Sequence, residues 1–334
     1  MPDGDGVMFA ADALPPVPGL ESYWQARTFR GGEAPGAMQE RALLDTLGLG
    51  LEQALRYLME MRPTFDAFRA WIVATAGQPD PVRLARHVAE VSGAPQPRPV
   101  RDWLATIDAA PPVLGPDELA GWDEQGFVVL RNAITRAEAD AAAGLLWELV
   151  GARPDAPESW HEPVRQGLWV SVFQHPALEP ARRSARVHKG FAQLWGTADL
   201  HMTVDRMSFN PPVTPAHGFG GSSLHWDVSL VRPIPFATQA ILYLTDTAAD
   251  QGALQVVPGF HRRIDAWLDA LGGAHPRSVD LSEQAVAVPA GAGDLVIWRQ
   301  ELPHGASPNT SDRPRLAQYI NMYPGWLRPN PVWL

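Results

Sequence analysis

Two histidines, one aspartate and one arginine stand out in the chain for the side chains they carry and the intervals between them: His225-Trp226-Asp227, then His304, then Arg315. His304 follows His225 by 79 residues, and Arg315 follows His304 by 11. Two imidazoles and a carboxylate on one face of an ion form the ligand set of a mononuclear non-heme Fe(II) centre that keeps other positions open. An arginine shortly after the distal histidine suits a dicarboxylate co-substrate, because the guanidinium fork meets a carboxylate in a bidentate way that lysine cannot. The four residues together point to activation of dioxygen. His-x-Asp alone is a common tripeptide, and a lone histidine is more often a satisfied core or surface residue than a ligand.

Such a set needs rigid elements to hold it. If His225 and Asp227 share a strand, their side chains leave the same face about 7 Å apart and both can turn toward one ion. Trp226 would then point the other way, into the core. His304 would come from another strand. Strand-like stretches do fill the chain beyond Gly151: Leu168 to Phe173, His201 to Asn210, Ser223 to Leu230, Thr238 to Thr245, Gly252 to Val257, Gly293 to Trp298 and Leu316 to Met322, separated by Gly, Pro, Asn and Asp clusters. Many strands with irregular turns imply a mainly β, jelly-roll core with flanking helices, an α+β protein. A short helix from Asp117 to Gln125 leads into the strand Gly126 to Leu130, and Thr135 with Glu138 forms a capping box that opens a helix through Leu149.

The first hundred residues read differently. Residues 1–35 are rich in Gly, Pro and Ala and lack periodicity, as a loosely docked arm would. From Gln39 to Met61, leucines at 43, 47, 51, 55 and 58 recur at helical spacing. A second helix is expected from Thr64 to Ala76, and a third from Asp80-Pro81, an N-cap residue followed by proline. The three prolines between Ser92 and Val100 read as a linker that ends the helical region. The expected division is therefore 1–100, an N-terminal arm and helical extension, and 101–334, the β domain.

Composition narrows the function classes. Lysine and arginine number 27 against 37 acidic residues, a net charge of −10 with no basic stripe, which argues against a nucleic-acid partner. The chain has no cysteine, so disulfides, thiolate zinc sites, iron–sulfur clusters and a cysteine nucleophile are all excluded. The acidic start, Met1-Pro2-Asp3-Gly4-Asp5, lacks the basic and apolar stretches of a signal peptide, and no run reaches membrane-spanning length. A cytoplasmic protein without membrane contact is the expectation. A homodimer is left open.

Three further stretches surround the metal pattern. Gly252-Ala253-Leu254-Gln255-Val256-Val257-Pro258-Gly259-Phe260-His261-Arg262 resembles the Gly-x-Leu-x-x-x-Pro-Gly-[Ser/Thr]-His stretch of the phytanoyl-CoA dioxygenase family. Gly293-Asp294-Leu295, then Leu302-Pro303-His304-Gly305, then Pro308-Asn309 and Asp312-Arg313-Pro314-Arg315, are similar to that family's distal-histidine and arginine segment. Asp123 to Ala133 resembles its domain opening. The resemblance spans roughly residues 117–325 and does not cover the first hundred. It implies a double-stranded β-helix, Fe(II), and 2-oxoglutarate as co-substrate consumed with O2. His225, Asp227 and His304 would hold the iron, and Arg315 the distal carboxylate of 2-oxoglutarate. Arg313 competes for that role, but it sits in a turn before proline, whereas Arg315 opens the next strand. Gln239 and Asn210 fall where family members place polar 2-oxoglutarate contacts; the plainer account of each is a strand residue bonding its neighbours. The chain departs from the pattern at Phe260, where serine or threonine is usual, and at Ala306, where a small hydroxyl residue is usual and Ser307 comes next.

Aspartate at 227 favours oxygen transfer over halogenation, because related halogenating enzymes replace that carboxylate with a small residue. The implied reaction is hydroxylation of an unactivated C–H bond of a small-molecule metabolite, with release of succinate and CO2. Desaturation, ring formation or demethylation are alternatives on the same cofactors. A non-catalytic binding protein would be expected to have lost a ligand, and a cupin-like metal enzyme would have no use for Arg315. His217 and Phe219 lie in a Gly-rich loop that reads as a lid or as ordinary exposed loop. Arg232 reads as a solvated arginine or an anchor for an anionic substrate. Trp160, Trp169, Trp298 and Trp326 read as pocket lining or as core.

Overall fold

The computed structural model describes residues 13–31, 35–161 and 167–334. The chain divides into two compact units, Met1–Trp103 and Leu104–Leu334.

The first unit is helical, with α1 at Leu20–Arg27, α2 at Ala37–Thr46, α3 at Leu51–Met61, α4 at Phe65–Ala76 and α5 at Pro81–Ser92. The leucine stripe from Gln39 to Met61 is broken into two helices rather than one. Gly48 turns the chain with a φ of +71°, a left-handed conformation that favours glycine, and Gly50 then caps α3. Leu43, Leu44, Leu47, Leu49 and Leu58 still share one core. The described part of the expected arm is not loose: Leu14, Leu20, Tyr23 and Trp24 are buried in that core, and Arg27 pairs with the buried Glu40. Residues 1–12 and 32–34 of that arm lie outside the described residues. The two remaining helix starts agree with their caps. Thr64 accepts from the Ala67 N–H, and Asp80 accepts from the N–H groups of Val82 and Arg83. Replacing Asp80 with alanine orphans those donors and is expected to cost about 1 kcal/mol, read as a lower denaturation midpoint by far-UV circular dichroism. The proline-rich segment does not end the helices: residues 93–97 connect α5 to α6, Arg98–Ala109, within which the division falls.

In the second unit α7, Pro116–Gln125, leads into β1, Phe127–Leu130, and α8, Arg136–Val150, starts at the Thr135–Glu138 capping box. There follow β2 at Trp169–Val170, α9 at Glu179–Arg183, α10 at Ala185–Trp195, β3 at His201–Met202, β4 at Met207–Asn210, β5 at Thr238–Tyr243 and β6 at Leu254–Val256. The chain continues through α11 at Ile264–Ala270, β7 at Val286–Val288, β8 at Leu295–Arg299, β9 at His304–Ala306, β10 at Arg315–Tyr319 and β11 at Met322–Tyr323. A six-stranded sheet runs β1-β8-β5-β10-β4-β2, a three-stranded sheet runs β7-β6-β9, and β11 pairs with β3. Every strand pairing among the described residues is antiparallel. The architecture is α+β. Alternate residues of the large sheet (Ile241, Tyr243, Val296, Trp298, Ala317) pack with Leu254, Val256 and Val288 of the small one in a single core. No helix among the described residues is long and apolar enough to cross a membrane.

One expected strand is absent. Ser223 to Leu230 forms no strand, only an isolated bridge between His225 and His304. Conversely β7 carries no strand signal in the sequence, and β9 is marked there only by the need for a second strand to supply His304. Each is three residues long, too short for alternation to show.

Candidate metal and co-substrate site

The isolated bridge is what brings the histidines together. The His225 N–H donates to the His304 carbonyl at 2.9 Å and the His304 N–H returns the bond at 3.0 Å. Residues exchanging both bonds lie directly opposite, so their side chains leave the same face; the two rings stand 4.8 Å apart. The approach is close: a Cβ on Gly305 would lie 3.3 Å from the Ser223 carbonyl, tighter than most such contacts. Nδ1 of His225 lies 2.9 Å from the Ser223 carbonyl, and Nδ1 of His304 lies 3.1 Å from that of Leu302. A carbonyl only accepts, so each Nδ1 donates its proton there, and each Nε2 is the ring nitrogen that faces Asp227 and would ligate an ion.

Asp227 completes the set. Its Oδ1 is 3.5 Å from Nε2 of His225 and its Oδ2 is 3.3 Å from Nε2 of His304. Ligand atoms of the three residues all lie within 4.8 Å of one another, close enough to share one ion. The crowding of neighbouring groups around the half-exposed Asp227 carboxyl acts to raise it, but hydrogen bonding and charge from His304, joined by His225 and Gln239, outweigh that effect and hold the group well below the usual carboxylate range. It is ionised and supplies the negative charge a divalent cation needs.

With no strand pairing around it, the Asp227 segment is held by side chains. The indole of Trp226 is buried in the core and donates to the Glu301 carbonyl at 2.9 Å. Arg277 donates to the carbonyls of Trp226 and Val228, on either side of Asp227, both at 2.6 Å. Nothing in the sequence signals Arg277, because it lies 50 residues beyond the aspartate it braces. Arg277→Met is expected to lower Fe(II) affinity 10- to 100-fold, the usual range for outer partners of metal ligands, measured by anaerobic titration. Wild-type affinity in that variant would show the segment to be held by other contacts.

Arg315 opens β10 and is 1% exposed. Its Nη1 donates to the Ser208 hydroxyl at 3.1 Å, while Nε and Nη2 find no partner. No carboxylate pairs with it among the described residues. Tyr243 is no counter-charge, since burial pushes its phenol up to about 12, and its hydroxyl is engaged with the Val288 carbonyl and the Leu254 N–H. A buried, unpaired guanidinium is costly, and the arrangement is complementary to an anion. Arg313, by contrast, is 77% exposed and lies against Asp312.

Asn210 is directly across from Arg315 in the β4–β10 register, 1% exposed, with its amide donating to the carbonyls of Ser307 and Gly252. Gln239 donates to Asp227 Oδ2 at 2.7 Å and accepts from the Trp298 indole at 3.2 Å. Both side chains are thus engaged within the protein. His217 stacks on His161 at 4.4 Å and bonds Thr214. Arg232 pairs with Asp269 at 2.7 Å. Of the four tryptophans, Trp160 and Trp298 are buried, whereas Trp169 and Trp326 are exposed. Phe260 is fully buried against Trp226 and Trp267, so the aromatic departure belongs to the core. Ser307 donates its hydroxyl to the Ala253 carbonyl.

The motif glycines have steric reasons. A Cβ on Gly252 would meet the Asn210 amide at 2.1 Å, and one on Gly293 the Ile134 carbonyl at 2.6 Å. Asp294 accepts from the N–H groups of Asn132 and Gly291 and from Arg131.

Known proteins include relatives of this chain. The chain is 27% identical over 225 residues to the dioxygenase af480 of Aspergillus fumigatus, covering 65% of this chain and 69% of that one. It is 23% identical over 231 residues to the ectoine dioxygenase of Nocardia farcinica, covering 60% and 74%. Among solved structures, the non-heme alpha-ketoglutarate-dependent carbocyclase SnoK from nogalamycin biosynthesis matches with a TM-score of 0.46 and 20% identity, covering 64% of this chain and 87% of that one. The family model for phytanoyl-CoA dioxygenase matches residues 122–317, a span that takes in the histidine pair, Asp227 and Arg315. Because that match covers more than half of the sequence, the chain belongs to the phytanoyl-CoA dioxygenase (PhyH) family and is a dioxygenase.

Proposed function

We propose that His225, Asp227 and His304 hold Fe(II), that Arg315 with Ser208 receives the distal carboxylate of 2-oxoglutarate, and that the enzyme hydroxylates an unactivated C–H bond of a small-molecule metabolite. The observation that carries this reading is the buried Arg315 with two orphaned nitrogen atoms, in the same domain as a three-residue donor set. The donors fit the metal: two neutral imidazoles and an ionised carboxylate are what a non-heme iron centre takes. The sheets fit a double-stranded β-helix, with the large and small sheets closing on one core, and we assign the dioxygenase domain to residues 101–334 and a helical extension to 1–100.

When bound, iron and 2-oxoglutarate supply the activation of O2, one oxygen atom leaving in succinate as CO2 is released and the other entering the substrate. The residues of the chain do the rest. Nδ1–H bonds to carbonyls orient the two imidazoles, Asp227 balances charge, and Arg315 sets the depth and direction of the co-substrate. The retained carboxylate at 227 supports oxygen transfer. The test is succinate formation under air with Fe(II) and 2-oxoglutarate, combined with a screen of metabolite pools for a 16-Da gain that depends on 2-oxoglutarate. Succinate formation with no oxidised product from any pool would limit the assignment to uncoupled turnover; no succinate at all would remove it.

A further inference from the structure

Asp227 lies outside any strand, and rotation of a carboxylate about its terminal bond is soft. Its side chain is 55% exposed, so water alone would not fix its plane. We propose that Gln239, itself oriented by Trp298, is a positioning residue that locks the Asp227 carboxylate between the two histidines. The proposal rests on the iron-site reading above.

The geometry runs through three groups. Gln239 and Trp298 face each other across β5 and β8, so both side chains leave the same face of the sheet. The Trp298 indole N–H donates to Gln239 Oε1 at 3.2 Å, and Gln239 Nε2 donates to Asp227 Oδ2 at 2.7 Å. A primary amide can present either end to a neighbour, but an indole is a donor only. Trp298 therefore holds the amide oxygen toward itself and aims the NH2 group at the carboxylate. Trp298 is 3% exposed and packed in the core, so the orienting group is rigid. With Oδ2 anchored, Oδ1 is turned toward Nε2 of His225 and Oδ2 stays beside Nε2 of His304. One hydrogen bond thus sets the torsion that places the third ligand relative to the other two.

This role differs from direct contact with 2-oxoglutarate, and the two give different measurements. Gln239→Met removes the donor at similar volume; Trp298→Phe removes only the orienting N–H and leaves the amide free to turn. Fe(II) affinity of each apo-protein is measured anaerobically, with the melting temperature as a check on the fold and KM for 2-oxoglutarate at saturating iron. Positioning predicts a 10- to 100-fold loss of Fe(II) affinity in Gln239→Met, a smaller loss of the same sign in Trp298→Phe, and a KM changed by less than about threefold. If Trp298→Phe fails to fold, Gln239→Met decides alone. Fe(II) affinity within twofold of wild type in Gln239→Met overturns the proposal, as does a raised KM at unchanged iron affinity, which would make Gln239 a co-substrate contact. His225→Ala in the same titration separates the two readings. If it abolishes binding while Gln239→Met does not, positioning alone fails; if it too binds normally, the iron site itself is wrong.

Discussion

His225→Ala is expected to abolish the visible charge-transfer band that forms when Fe(II) and 2-oxoglutarate are added to the wild-type protein without oxygen, and to stop succinate formation. Outer partners of metal ligands cost 10- to 100-fold in affinity when removed, so loss of a direct ligand should exceed about 100-fold. The effect should be confined to the site. His225 joins β9 through its backbone N–H and carbonyl, which alanine retains, so the bridge to His304 survives and the melting temperature should change little. His304→Ala is the harsher variant, because that side chain is 4% exposed and its removal also leaves a cavity beside Trp298. An undiminished band in His225→Ala would show that the metal is held elsewhere.

Arg315→Met should separate co-substrate binding from folding. In the wild type the guanidinium is 1% exposed with two unpartnered nitrogen atoms, so without an anion it is a liability to the fold. Methionine removes the buried charge, and the apo-protein is expected to melt at the same temperature or higher. A charge-assisted hydrogen bond is worth about 1.5–3 kcal/mol, so KM for 2-oxoglutarate should rise roughly 10- to 150-fold. The stabilisation that 2-oxoglutarate confers on the iron-loaded wild type by binding only the folded state should disappear in parallel. Arg315→Lys keeps the charge but loses the fork and should fall between the two. An apo-protein strongly destabilised by Arg315→Met, with KM unchanged, would assign the arginine to the core instead.

Both variants address residues visible in the sequence, whereas Arg277 and Trp298 act on Asp227 from places no local pattern marks. Gln239 could be singled out by position, but its partners came only from register: Trp298 is its neighbour across β5 and β8 and lies 59 residues away. The same holds for Ser208, which meets Arg315 through the β4–β10 pairing. Hydrogen-bond partners of this kind depend on which strands lie side by side, and a linear sequence carries no record of that.

Residue types and local patterns carry the candidate ligand set and much of the local structure. Residue type decides which groups can ligate, so His225, Asp227, His304 and Arg315 could be named from their chemistry and motif spacing. Thr64, Asp80 and Thr135 mark helix starts because capping is satisfied within three residues. The leucine stripe identified a buried face but not the turn inside it, which a single left-handed Gly48 introduces. How the three proposed ligands converge follows from tertiary contacts alone. The expected strand at 223–230 does not exist; a two-bond bridge to β9, a buried indole and the Arg277 guanidinium place the aspartate instead. Alternation signals a strand through burial of one face, and this segment is held by a bridge and side-chain bonds rather than by a sheet. Its conformation is set by distant donors, and those become neighbours only when the sheets close on their common core.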